Sequence, residues 1–215
     1  MGRLVSRHTG LVEGHTYLHF VAPGLLVITA MQLGETESMW PILGAVKWTR
    51  TYHAAIATPL EPEDVAIGKL AWVSIRLFAS SAIYGLVMLL FGVLTSWTAV
   101  VLPFVGVVTG LAFAGPLMAF ALTTESDLPF TTIFRFLIVP MLLFSATFYP
   151  LQQYPVALRW IVQLMPLYHG VALARSAAFG SAMLWPTLAH VGVLLAISAL
   201  GIALSLRNIR RRLVV

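Results

Sequence analysis

The residues that could do covalent or metal chemistry are few and scattered. His19, His169 and His190 each fall in an apolar stretch. A metal site would need them to converge with carboxylates, and there is no H-E-x-x-H to bring two ligands onto one helix face. Histidines satisfied by local partners are the simpler reading. The chain has no cysteine, which excludes disulfides, thiolate zinc sites, iron–sulfur clusters and thiol catalysis. Ser145 has no G-x-S-x-G elbow around it. Gly68-Lys69 is followed by Leu70, and Glu63 stands where a phosphate-binding loop needs its first glycine, so ATP cannot bind here through a P-loop. The sequence therefore offers no catalytic residue, no metal ligand set and no cofactor of its own.

The segment with the clearest local design is the polar stretch 34–69. From Trp48 to Ala57, apolar and aromatic residues (Trp48, Tyr52, Ala55, Ile56) recur at helical spacing. Pro59 must end that helix, because it lacks an N–H and restricts the residue before it. A second helix is expected from about Glu61, with Pro62 at its first position and Glu63 and Asp64 against its positive end. The result is a short amphipathic helix, a turn at Thr58-Pro59-Leu60, and a rising helix. Two readings fit: a docking element for a partner, or an interfacial helix tying two spans together.

Composition says what surrounds these elements. Of 215 residues, 59% are hydrophobic and 10% charged, and the mean hydropathy is +0.90. A water-facing surface needs about 25% charged residues, so lipid is the natural solvent. A membrane-spanning helix needs about 20 apolar residues. Five stretches are expected to span, at about 17–33, 70–94, 98–122, 131–149 and 184–206. The fold class expected is thus all-α, polytopic and membrane-embedded, in one domain over 1–215. Between the last two spans, at 150–183, Pro150, Pro155 and Pro166 leave two pieces too short to cross, Val156–Leu164 and Tyr168–Phe179. A re-entrant helical hairpin fits, provided protein covers its loose backbone.

Orientation follows from the cations. With the C-terminus in the cytosol, Lys47, Arg50, Lys69, Arg76, Arg135, Arg207, Arg210, Arg211 and Arg212 lie on the inner side, and Arg3, Arg7, Arg159 and Arg175 on the outer. The net charge of +5 is thereby explained by topology, without nucleic acid. Five spans leave the N-terminus outside, which raises the expectation of a further span upstream of Met1.

Within the spans, Gly106, Gly110 and Gly115 mark a surface for close helix packing, inside the fold or between copies. Aromatics at span ends act as interfacial anchors. Phe144, Phe148 and Tyr149, at the outer end of the fourth span, could instead line an exit for an amphipathic substrate.

Several stretches together resemble the permease subunit of type-2 ABC exporters, nearest to the nodulation-factor (lipo-oligosaccharide) and antibiotic-efflux branch. They are Phe20-Val-Ala-Pro-Gly-Leu25, Tyr52-His-Ala-Ala-Ile-Ala-Thr-Pro-Leu60 with Asp64 and Gly68, and Thr109-Gly-Leu-Ala-Phe113. Pro140-Met-Leu-Leu-Phe-Ser-Ala-Thr-Phe-Tyr-Pro150, Gln153-Tyr-Pro155 and Met165-Pro-Leu-Tyr-His-Gly170 with Arg175 complete the set. The resemblance covers about 17–212, and its force lies in the order and spacing of the motifs.

It implies a six-span permease in the cell membrane, paired with a second permease copy and served by two ATPase subunits that bind ATP and its magnesium. The family's coupling helix maps onto Tyr52, His53, Ile56, Thr58, Pro59, Leu60 and Asp64, and its re-entrant pair onto 150–179. Phe20 and Pro23 join Phe144, Phe148 and Tyr149 as candidates for the substrate path. The family's first span has no counterpart here. The function expected is export of an amphipathic drug, glycolipid or lipo-oligosaccharide, powered in trans. The rivals are an intramembrane enzyme built on His190 or Ser145, and a non-transport scaffold or truncated permease.

Overall fold

A computed structural model describes residues 11–12, 15–181 and 183–214, with side chains from residue 17 onward. Arg3 and Arg7, counted above on the outer side, lie outside the described residues. A two-residue ladder, β1 (Leu11–Val12) with β2 (His15–Thr16), precedes an otherwise helical chain. The helices are α1 (Tyr17–Ser38), α2 (Trp40–Leu43), α3 (Thr51–Ile56), α4 (Pro62–Leu90), α5 (Leu102–Ala121), α6 (Leu128–Ile133), α7 (Val139–Phe144), α8 (Val156–Leu164), α9 (Pro166–Phe179) and α10 (Leu184–Val214). Among the described residues, four helical runs are long and apolar enough to cross a bilayer, Tyr17–Trp48, Pro62–Leu90, Trp97–Ala121 and Leu184–Val214, and the bent pair Val156–Leu164 with Pro166–Phe179 makes a fifth if it counts as one span.

Helix α5 is the axis of the fold, with α1, α4, α9 and α10 packed around it. Small residues make this possible. A Cβ on Gly106 would lie 2.0 Å from Ser81 Oγ, and one on Gly110 would lie 2.3 Å from Leu77 Cδ2, so this pair faces α4. Gly115 meets the backbone of Gly201 and Ile202 on α10. Gly34 on α1 approaches the Gly110 carbonyl so closely that a Cβ would be 2.4 Å away. Polar side chains then tie the crossings. Ser205 Oγ donates to Gly115 O and Asn208 Nδ2 to Ala119 O, both at 2.9 Å. In contrast, α4 and α10 turn most of their apolar surface away from the chain, as at Ile75, Ile83, Leu188 and Leu200, and leave it for lipid or another copy.

Two stretches differ from the sequence expectation. The helix begun at Tyr17 does not stop at Leu33; it runs through Gly34-Glu35-Thr36-Glu37 to Ser38, and helical turns continue to Trp48. The acids do not break it because Glu37 is matched from α4. Lys69 Nζ lies 2.7 Å from its Oε2, and Arg76 Nη1 pairs with its Oε1.

The stretch expected to span at 131–149 is instead a helical run from Leu128 to Phe144, with a π turn at Phe134–Ile138. Pro140 has no N–H to give the preceding turn, and a widened turn takes up the mismatch. Seventeen residues reach about 25 Å, at the short end of the range for a membrane-spanning helix. The chain then reverses at Ala146, whose φ of 59° is left-handed.

The stretch after it forms the two helices α8 and α9, bent by 86° at Met165-Pro166. Met165 is extended and Pro166 opens the new helix, so the bend is written locally. Helix α9 buries Leu167, Gly170, Val171 and Ala174, and Gly170 lies against Thr109 and Val27. Its backbone is thus covered by protein.

Candidate functional site

One end of the bundle gathers the hairpin 49–64, the turn 122–127 and the basic end of α10. Arg50, in the left-handed region at φ 52°, redirects the chain from the π turn Gly44–Trp48 into α3. Helix α3 has one inward and one outward face. Tyr52 and Ile56 pack against the main apolar core, whereas His53 is exposed. Burial pushes the Tyr52 phenol up to about 12. The turn that follows is presented to the outside. Thr58, Pro59 and Leu60 are all exposed, and Leu60 keeps half its surface open. Thr58 Oγ1 donates to Ala55 O at 2.6 Å, which closes the end of the helix.

Helix α4 starts on a capping box, in which the Glu61 side chain accepts from the Asp64 N–H and Asp64 Oδ2 accepts from the Glu61 N–H at 3.0 Å. The seven residues assigned to coupling thus divide. Tyr52 and Ile56 anchor the hairpin, Asp64 caps α4, and His53, Thr58, Pro59 and Leu60 form the outward surface.

Ion pairs brace the hairpin against its neighbours. Glu125 receives Arg212 and, at 3.6 Å, Lys47, and Arg210 lies 3.2 Å from Glu63. The Arg212 hydrogen bond and charge hold the Glu125 carboxyl below the usual carboxylate range. Glu125 was not singled out in the sequence, because its partners are distant along the chain.

The five candidate path residues do not share a surface. Phe20 is fully buried and carries the Arg175 guanidinium 3.7 Å above its ring, and Pro23 is buried beside it in α1. Phe148 is half-buried against the core. Phe144 and Tyr149 are exposed, and Phe144 meets Tyr154 edge-on, with ring centroids 6.4 Å apart.

Arg175 holds this end together. Its Nη2 donates to Ala146 O at 2.8 Å and Thr147 O at 2.9 Å, and its Nε to Phe20 O at 3.2 Å. It thereby fixes the left-handed reversal after α7 to both α9 and the start of α1.

The histidines form no larger constellation. His169 Nδ1 and His190 Nδ1 are 2.7 Å apart, with Tyr168 edge-on to both rings. Among the described residues, no group of three His, Cys, Asp or Glu could hold a metal ion. Ser145 is buried and shares a hydrogen bond with Thr147 at 2.9 Å.

Long apolar helices around a small-residue axis, with a bent helical pair before the last of them, define a polytopic helical membrane protein. The ABC-2 type transporter model matches residues 4–179, and the chain belongs to that family. Nodulation protein J of Rhizobium leguminosarum bv. viciae is 31% identical over 206 residues, which are 95% of this chain and 78% of that protein. Nodulation protein J of Rhizobium meliloti (strain 1021) is 28% identical over 215 residues, 99% of this chain and 81% of that one. The Neorhizobium galegae protein of the same name is 30% identical over 205 residues, 95% of this chain and 78% of its own. No solved structure matches the chain. The chain is accordingly a membrane permease of the ABC exporter class.

Proposed function

We propose that this chain exports an amphipathic substrate across the cell membrane, using ATP hydrolysed by a separate ATPase that docks on the turn Thr58-Pro59-Leu60. The carrying observation is how that turn is mounted. It is exposed, yet it joins α3, packed on the core through Tyr52 and Ile56, to α4, a single helix of 29 residues. Such a helix is about 43 Å long, so a push on the turn is delivered along the whole bundle. The chain itself carries out no covalent step and needs no cofactor, with ATP and magnesium held by the ATPase.

The working unit is two permeases over two ATPases. The C-terminal arginines face the cytosol, where cations accumulate beside the inner leaflet. The uncovered apolar faces of α4 and α10 supply the surface for lipid and for the second copy. An amphipathic cargo fits the exposed aromatics Phe144 and Tyr149. This reading draws on the family membership and on the likeness to the nodulation J proteins.

Co-purification with a P-loop ATPase is the test. Leu60→Asp should lower recovery of the ATPase roughly tenfold, since burying a leucine contributes about 1.5–3 kcal/mol, and ATP-dependent export should fall with it. Complex formation and export that survive simultaneous replacement of Thr58, Pro59 and Leu60 would show that the ATPase docks elsewhere.

A further inference from the structure

Arg76 stands beside a groove on the outward face of α4. On α1, Glu37 receives both Lys69, at 2.7 Å, and Arg76. One carboxylate therefore faces two cations, and the cluster keeps one positive charge. Glu37 and Lys69 are nearly covered, with 12% and 17% of their side chains exposed, whereas Arg76 is 46% exposed. The surplus charge is displayed on Arg76. Its Nη1 is committed to Glu37. Its other nitrogens point to no hydrogen-bond acceptor among the described residues.

Next to that guanidinium lies a cavity of about 480 Å³, lined by Leu33, Ser80, Ile83, Tyr84 and Val87. On α4, residues 76, 80, 83, 84 and 87 are spaced by three and four, so they form one stripe. The stripe is graded. A cation stands at the end nearer Lys69, the Ser80 and Tyr84 hydroxyls follow, and hydrocarbon continues to Val87, about 16 Å away along the helix. A bilayer phospholipid has the same grading, from charged headgroup to acyl chain. An arginine at membrane depth is costly unless an anion or water meets it, and Glu37 is already shared. A phosphate suits the guanidinium fork, which pairs with two oxygens at once.

We infer that this groove holds one anionic phospholipid, with its phosphate on Arg76 and its first acyl carbons along Ile83 and Val87. The site requires neither an ATPase nor a cargo, so it stands or falls separately from the transport reading.

The test uses the 215-residue chain, stripped of lipid in detergent and titrated with phosphatidylglycerol, phosphatidylcholine or inorganic phosphate. Native mass spectrometry counts the bound molecules. One phosphatidylglycerol should bind per chain, well ahead of phosphatidylcholine. Arg76→Gln should weaken it roughly tenfold, the share of one charge-assisted pair. Because that change also disturbs Glu37, Ser80→Phe is the second variant. It fills the groove, leaves the ion pairs in place, and should lose the lipid while keeping the unliganded melting temperature. Arg211→Gln, at the basic end of α10, should bind as the parent does. Equal binding by Ser80→Phe and the parent would overturn the assignment, as would equal retention of the two lipids. Phosphate binding as tightly as the lipid would remove the acyl groove from the site.

Discussion

Glu37 shows how a residue's role can depend on partners far along the chain. In sequence it sits in Gly34-Glu35-Thr36-Glu37, a polar run that reads as a loop. In the fold it is the anion that lets Lys69 and Arg76 lie against α1. Removing one partner of a covered ion pair costs about 3–5 kcal/mol, because the remaining charge is stranded. Glu37→Ala should therefore destabilise the protein by about 3 kcal/mol, read as a large drop in melting temperature in detergent. A drop no larger than that of Glu125→Ala, whose carboxylate is exposed, would show that the triad carries little stability.

Tyr52 gives a pH-dependent test at the same scale. Burial raises its folded value to about 12, against about 10 when unfolded. The stability that follows from this is complete below pH 10 and is lost as pH rises from 10 through 12. Tyr52→Phe should lose less stability between pH 9.5 and 11.5 than the parent does. Identical alkaline loss in the two proteins would mean that α3 does not bury this side chain.

At the scale of elements, local signals were legible and distant ones were not. The start of α4 could be read from Pro62, Glu63 and Asp64, because caps and first-turn charges act within four residues. The break at Met165-Pro166 and the ends of the helices around it were equally local. The extent of α1 could not be read, since it depends on Gly110, Lys69 and Arg76 from other helices. The end of the run from Leu128 to Phe144 was misplaced for a similar reason. Ser145–Tyr149 is apolar enough to continue a helix, but Arg175, from α9, holds the carbonyls of Ala146 and Thr147.

The glycines of α5 were visible as small residues, while the helix each one faces was not. Gly106 and Gly110 meet Ser81 and Leu77 on α4, so Gly106→Val should force α4 away at a cost of about 1–3 kcal/mol. Gly85, with nothing within 4 Å of an added Cβ, is the control. Gly85→Ala should be neutral or stabilising by up to about 1 kcal/mol, through helix propensity. Thermal unfolding of the two variants separates the cases, and equal effects would contradict the packing described for α5.

At the scale of the whole molecule, one bundle is both lipid-facing and braced at the end that carries the exposed turn. The apolar surfaces of α4 and α10 exclude a water-facing fold, and family membership makes the chain a permease. The sequence could reveal that class because composition and motif order are properties of the chain as a whole. It could not divide the coupling residues into anchors and outward surface, since that depends on which face of α3 meets the core.

The turn at Leu60 is expected in the cytosol, on the same side as the arginine tail. The absence of cysteine makes Leu60→Cys a single-thiol protein, whose labelling by a membrane-impermeant maleimide can be followed directly. Labelling in inside-out vesicles, with intact cells protected, is the predicted result. Labelling from the outside of intact cells would contradict both the orientation and the docking of an ATPase on this turn.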